Sequence, residues 1–133
     1  LDDLAIRLIE SDHDGSDFEI QPIPGEVDVL QIIVEQFDEL PIYVSITDSQ
    51  IICIVYLCKE TDINPEKRNQ MMESMLEMNI PVPLSSFAKV SDSFVIFGAL
   101  SLDSSFEDIV HEITTLNENS IEAMDVLEEY FNE

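Results

Sequence analysis

Short apolar segments, either alternating with polar residues or running continuously, fill the region from residue 18 to residue 100 and indicate β-strands. The clearest alternation places Ile42, Val44 and Ile46 on one side of a single strand. Turn residues at 48–49 and at 91–93 join neighbouring segments as hairpins, which favours antiparallel pairing. The predicted strands are 18–21, 27–35, 41–47, 50–58, 86–90 and 94–100.

Helical spacing of apolar residues predicts helices at both ends of the chain and one in the middle. The first covers 1–9, and the second begins at Asn64-Pro65, because Asn is a favoured N-cap and Pro a favoured first helical residue. The apolar face of the second helix is formed by Met71, Met72, Met75, Leu76 and Met78.

Two further helices are predicted near the C-terminus. Ser104 and Glu107 have the spacing of a capping box and open the third helix. Residues 117–119 are predicted to interrupt it, and Asn119 with Glu122 repeats the capping signature and opens the fourth. The apolar stripe of the third helix is formed by Phe106, Ile109, Val110, Ile113 and Leu116.

The order of elements is roughly α-β-β-β-β-α-β-β-α-α, within a single domain spanning 1–133. Grouped, hairpin-connected strands predict an α+β fold: an antiparallel sheet, made of a β-meander and a second hairpin, with helices packed on one face. The strands at 50–58 and 94–100 are apolar on both sides, so a second layer of helices or another subunit is expected to cover the remaining face. We expect a homodimer, although the charge of the chain opposes association.

Charge narrows the set of partners. The chain has 29 acidic and five basic residues, for a formal net charge of -24, and 45% of its residues are hydrophobic. Too few cations are present to bind phosphate backbones or anionic lipid, so neither nucleic acid nor an anionic membrane surface is an expected partner. The acidity either serves solubility alone or attracts a protein with a basic surface.

Two cysteines, Cys53 and Cys58, are placed in one predicted strand, and their odd spacing predicts opposite faces and no disulfide. Buried, reduced thiols suit a reducing compartment. No apolar stretch approaches the length of a membrane span, and no secretory signal is visible. We therefore expect a cytoplasmic protein.

Candidate chemistry is sparse. Asp12, Asp14 and Asp17 are weak candidates for calcium ligands, but the glycine and the final glutamate of an EF-hand loop are not in register, so a solvated loop is the alternative. His111 with Asp108 has the spacing of a di-iron helix but lacks the further ligands, and an exposed histidine is the alternative. No catalytic motif or cofactor loop is recognised, and neither an enzyme nor a cofactor is expected.

Two surfaces are candidates for protein binding. The methionines of the second helix either form a pliable groove or simply face the core. The region 103–133 holds ten acidic residues and no Lys or Arg. Its outward carboxylates are expected to receive a basic partner, the alternative being a merely solvated face. The predicted partner-binding residues are Glu107, Asp108, Glu112, Glu118 and Glu122.

Several segments together resemble the YjfI-like family of uncharacterised bacterial proteins, a domain of unknown function. They are residues 39–45 (ELPIYVS), 50–53 (QIIC), 83–87 (PLSSF), 95–101 (VIFGALS) and 111–116 (HEITTL). The resemblance runs from about Leu40 to Leu127 and implies a bacterial cytoplasmic protein, often encoded beside a membrane-stress protein similar to phage-shock-protein A. It supplies no catalytic residue.

The order of elements also resembles the type III secretion chaperone fold of YbjN-like proteins, from which the paired C-terminal helices and the strand at Phe18 depart. A shared fold does not fix function. The expected function is a non-enzymatic protein-binding, adaptor or chaperone-like role, with a link to envelope stress through a partner like phage-shock-protein A. The alternative is a small-ligand or metal-binding sensor, using the Asp12 to Asp17 loop or the His111 face.

Overall fold

The computed structural model describes residues 18–23, 29–34 and 40–132. In this part of the chain six strands form one sheet: β1 (Phe18–Ile23), β2 (Val29–Val34), β3 (Ile42–Ile46), β4 (Ile51–Lys59), β5 (Ser86–Val90) and β6 (Ser93–Leu100). Two α-helices are described, α1 (Arg68–Met78) and α2 (Phe106–Leu127). The helix predicted at 1–9 lies outside the described residues.

All neighbouring strands of the sheet pair antiparallel, in the order β1-β2-β3-β4-β6-β5. The predicted meander of three strands corresponds to β2, β3 and β4, and the predicted second hairpin to β5 and β6, and the structure confirms both. The short strand predicted at Phe18 is β1, which extends the meander by pairing with β2. The hairpin joins the meander through β4 and β6, a pairing between strands that are distant in sequence. The α+β class is thereby confirmed.

Both described helices pack on the same face of the sheet, as predicted. The core contains Val44, Cys53 and Ile96 from the sheet side, and Met71 and Ile113 from the helices, each fully buried. Val44 and Cys53 are cross-strand partners, so their side chains lie on the same face of the sheet. Ile96 is the cross-strand partner of Val55, which lies two residues after Cys53 and therefore on that face too.

A β-bulge in β4 changes which side chains reach the core. The register with β6 shifts between Tyr56 and Cys58, so Leu57 and Cys58 together oppose Phe94. Phe94 belongs to the core, so Cys58 also points toward the helices, on the same face as Cys53. The prediction of opposite faces was therefore wrong, because counting residues assumes an unbroken pleat.

The second predicted helix begins as expected and then differs in its buried face. Asn64 caps a 3-10 turn at Pro65–Lys67 by accepting a hydrogen bond from the backbone N–H of Glu66, and α1 continues from it. Met71 and Met75 are buried, whereas Leu76 is 70% exposed, which corrects its assignment to the apolar core face.

The predicted break at 117–119 is also corrected. Helix α2 is continuous from Phe106 to Leu127, and its N-cap is Ser105 rather than Ser104, since the Ser105 hydroxyl accepts from the Asp108 N–H at 3.1 Å. Asn119 does not cap a new helix. Its side-chain amide donates to the Pro83 carbonyl at 2.8 Å and to the Ser85 hydroxyl at 2.9 Å, so the loop after α1 is tied to the middle of α2.

The outer edge of β5 is partly closed by the end of α1. The Asn79 side chain accepts a hydrogen bond from the Phe87 N–H at 2.6 Å, which removes one free donor from an edge strand. Glu60 binds Arg68 of α1 at 2.8 Å and Lys89 of β5 at 2.9 Å, fixing the helix to the same strand. These contacts hold the pKa of Glu60 at about 2, the hydrogen bonds from Arg68 and then Lys89 being the main causes.

Candidate functional site

Helix α2 presents four carboxylates to solvent on one side, one in its first turn and three in its C-terminal half, with the exposed His111 between them. Glu107, Glu118, Glu122 and Asp125 are all exposed, and their spacings of eleven, four and three residues place them on one side of the helix. We call these four residues the acidic stripe. Asp125 was not predicted, although its position three residues after Glu122 was a sufficient signal.

The carboxylates of the acidic stripe have no ion-pair partner within the part of the chain that the structure describes. Three cations, Lys67, Arg68 and Lys89, are engaged elsewhere, with the Glu129 carbonyl or with Glu60. Neighbouring like charges on a helix repel by a few tenths of a kcal/mol per pair. The stripe therefore carries an uncompensated negative charge that a cationic partner would neutralise.

Asp108 is also exposed, beside the stripe in the first turn of α2. Together with Glu107 it lies near the positive end of the helix dipole, which stabilises both carboxylates by about 0.3–1 kcal/mol each. These two residues thus have a local structural role in addition to the predicted one.

Glu112 was predicted to face the partner, and the structure corrects this. Its side chain is only 4% exposed and lies between α2 and the sheet, where Oε1 has no hydrogen-bond partner. The carboxylate rests against Gly98 of β6, and a Cβ at that position would overlap Oε1 and come within 2.7 Å of Cδ. Gly98 is therefore the gap in the sheet that admits the carboxyl group.

Burial raises the pKa of Glu112, and the charge of the neighbouring His111 opposes this rise. Removal from water disfavours the ionised form, and the unpartnered Oε1 shows that no donor compensates it. The periodicity of apolar residues did not predict that Glu112 is buried. Its burial depends on Gly98, a glycine in a strand that is distant in the sequence.

The two cysteines are buried and form no disulfide, as predicted. Burial first, and the Glu112 carboxyl second, raise the pKa of Cys53 to about 12. Burial, followed by Asp62 and Glu60, raises the pKa of Cys58 to about 11. A thiol nucleophile needs the opposite shift, so neither residue is activated for catalysis.

Some of the candidate metal ligands lie among the described residues and others do not. Asp12, Asp14 and Asp17 lie outside the described residues. Within the described ranges no three His, Cys, Asp or Glu side chains are grouped as metal ligands. His111 is exposed on α2 next to the acidic stripe.

Met71 and Met75 belong to the core, as the core-face alternative predicted. Met72, Met75 and Leu76 also line a shallow, open apolar cavity of about 150 Å³ beside β5. Binding of a partner in this cavity stays a prediction. Over the described residues, no helix is both long enough and apolar enough to cross a membrane.

Comparison with known proteins identifies the family. Residues 1–131 match the model of the DUF2170 family, described as an uncharacterised protein conserved in bacteria. The chain is 34% identical over 113 residues to the uncharacterised protein YjfI of Escherichia coli K12 and to YjfI of Escherichia coli O157:H7, covering 81% of this chain and 83% of each relative. The chain therefore belongs to the YjfI-like DUF2170 family, as its sequence motifs indicated.

Proposed function

We propose that the protein is a non-enzymatic protein-binding module whose acidic stripe receives a basic segment of a partner protein. The observation that carries the proposal is the row of exposed, unpaired carboxylates on one helix held firmly against a sheet. A surface that only confers solubility works as well with lysines interspersed, and α2 contains no Lys or Arg.

The dimensions of the stripe favour a helical partner. From Glu107 to Asp125 the helix rises about 27 Å, at about 1.5 Å per residue. A basic helix of similar length, lying alongside α2, would place one cation opposite each carboxylate. A basic helix of a membrane-stress protein like phage-shock-protein A is the partner we propose to test first, in an adaptor role during envelope stress.

The stripe contributes mainly to association rate and to selectivity for cationic surfaces, because exposed pairs are partly screened. At about 0.2–1 kcal/mol for each exposed pair, four carboxylates contribute about 1–4 kcal/mol. This corresponds to a change of about 5- to 1,000-fold in Kd.

The test compares two variants of equal net charge. In the stripe variant Glu107, Glu118 and Glu122 are changed to Gln, and Asp125 to Asn. In the control variant four exposed carboxylates elsewhere are neutralised in the same way: Glu66, Glu73, Glu77 and Asp92.

Pull-downs from cells that express the protein natively, and binding titrations with a purified homologue of phage-shock-protein A, are made at low and high salt. We expect the stripe variant to lose the partner, the control to retain it, and high salt to weaken wild-type binding. Equal retention by both variants, or binding that is insensitive to salt, would refute the acidic stripe as the binding surface.

A further inference from the structure

The loop between α1 and β5, residues 79–85, is tied to α2. The Asn119 amide donates to the Pro83 carbonyl at 2.8 Å and to the Ser85 hydroxyl at 2.9 Å. The Val82 N–H donates to the Met78 carbonyl at 3.1 Å and closes a turn at the start of the loop. The two prolines of the loop restrict its backbone further. The loop is therefore a preformed surface, and a molecule that binds it would pay little for ordering it.

Two large apolar side chains of this loop project into solvent. Ile80 is 90% exposed and Leu84 is 57% exposed, and the segment 79–88 contains no charged residue. Leu84 has a φ of 66°, in the left-handed region, which Leu adopts only at a cost in backbone energy and which suits Gly or Asn better. A residue that served the turn alone would therefore be Gly or Asn. An exposed Leu at this position indicates a contact that its side chain makes with another molecule.

The exposed apolar residues border the acidic stripe. Leu84 stands between the two residues that Asn119 binds, so it lies beside α2 near the level of Asn119. Asn119 precedes Glu122 of the stripe by three residues and Val126 by seven, so these three residues share one side of the helix. Val126 is 44% exposed. We call Ile80, Leu84 and Val126 the apolar ridge.

We infer that the partner of the acidic stripe is an amphipathic cationic helix, whose apolar side packs on the apolar ridge while its cations face the stripe. This inference rests on the proposed function and adds the apolar half of the contact. Interfaces combine an apolar centre with a polar rim, and amphipathic helices bind by setting apolar residues at helical spacing onto such a surface. Leu84 follows Ile80 by four residues, at most about 14 Å of chain, which two to three turns of a helix would cover.

Charge selects the occupant of the apolar ridge. Because the ridge borders the acidic stripe, a second copy of this chain would bring its own carboxylates toward those of the first, against a net charge of -24 on each chain. An anionic membrane surface would be repelled by the same carboxylates. A cationic helix is attracted by them, and its apolar side removes the ridge from water. It is therefore the occupant that complements both surfaces.

The test measures binding of two synthetic helical peptides to the full chain by fluorescence anisotropy. Both are about 18 residues long, which spans about 27 Å, and both carry the same number of lysines on one side. The other side consists of leucines in the first peptide and of alanines in the second. We expect the wild type to bind the leucine peptide at least about tenfold more tightly than the alanine peptide, because only leucine side chains cover the apolar ridge.

The ridge variant combines Ile80→Ser with Leu84→Asn and should bind both peptides equally. Asn tolerates the left-handed backbone at this position, so the Tm of this variant should not fall through strain. The control combines Tyr56→Ser with Val90→Ser, two residues that are each 44% exposed on the face of the sheet turned away from α2, and it should keep the preference for leucine. Val126→Ser alone repeats the test if the ridge variant does not fold.

Equal affinity of the wild type for the two peptides would overturn the inference, as would a preference for leucine that the ridge variant retains or that the control loses equally. Self-association of the chain, or its co-sedimentation with lipid vesicles, would overturn it too if the ridge variant abolished either, since the ridge would then have another occupant. Failure of the proposed function gives a different result. The variant that neutralises the acidic stripe would then bind the alanine peptide as tightly as the wild type does, because that peptide reports on charge alone.

Discussion

Replacing the buried carboxyl group by its neutral isostere, Glu112→Gln, should stabilise the protein at neutral and alkaline pH. In the unfolded chain Glu112 ionises near the usual pKa of about 4.3. In the folded protein burial raises its pKa, so the folded state binds more protons between the two values. The free energy of unfolding of the wild type must therefore fall as the pH rises through this window. The Glu112→Gln variant has no carboxyl group at this position, so it does not undergo that fall.

The magnitude follows from the charge of the carboxylate. A buried polar group without a hydrogen bond costs about 1–3 kcal/mol and a charged group costs more, and the Gln variant retains the first cost and removes only the excess due to charge. One titrating group changes the free energy of unfolding by at most about 1.4 kcal/mol per pH unit. We expect the Gln variant to exceed wild type by about 1–3 kcal/mol at pH 8, and the difference to shrink towards pH 4, where the folded wild type is protonated and its unfolded state is mostly protonated.

The assay is urea denaturation followed by circular dichroism at intervals between pH 4 and pH 8. Glu118→Gln is the control, because Glu118 is an exposed glutamate on the same helix and its variant should differ little from wild type. A difference between Glu112→Gln and wild type that is constant across pH, or a Gln variant less stable at pH 8, would refute the assignment of Glu112 as a buried carboxyl without a partner.

The other predictions concern the neighbourhood of that carboxyl group, the thiols and metal dependence. Gly98→Ala should lower the free energy of unfolding by about 1–3 kcal/mol, since its methyl group must displace the Glu112 carboxyl, and a double-mutant cycle with Glu112→Ala should show coupling; additive effects would contradict the contact. Cys53 and Cys58 should react with a thiol reagent at pH 8 only as fast as the protein opens, and labelling of both within the mixing time would disprove their burial. Thermal melts with and without a chelator should coincide, whereas a large fall in Tm with chelator would indicate that metal binds the loop of Asp12 to Asp17.

Local sequence patterns predicted most of the secondary structure. The alternation around Val44 and the turn residues between strands determined the meander and the hairpin, because a period of two and a tight turn are properties of a few neighbouring residues. The N-cap at Asn64 was predicted for the same reason, as its hydrogen bond is made within three residues of the chain.

The local pattern at 117–119 failed because the interaction that decides it is not local. Asn residues favour caps when their side chains bond to the nearby backbone. Asn119 instead donates to the Pro83 carbonyl and the Ser85 hydroxyl, so its polar groups are satisfied inside an unbroken helix. Its buried position costs little once those partners are present.

The sequence predicted the charge of the candidate binding surface but not all of the residues that form it. Composition alone established that the C-terminal region is acidic and that nucleic acid is an unsuitable partner, since charge is a sum over residues and does not depend on their arrangement. Which carboxylates face water was decided by packing, because Glu118 and Glu122 lie on the outer side of α2, whereas Glu112 faces a glycine that only the folded sheet brings beneath it.

The sequence by itself thus determined the class of the fold, its family and its negative charge, all of which depend on local periodicity, motifs or totals. Tertiary structure decided the face on which Cys58 lies and the burial of Glu112. Each of these depends on which residues stand opposite one another across strands or between a helix and the sheet. Contacts between residues that are distant in the chain determine which residues face one another, so a short stretch of sequence cannot predict it.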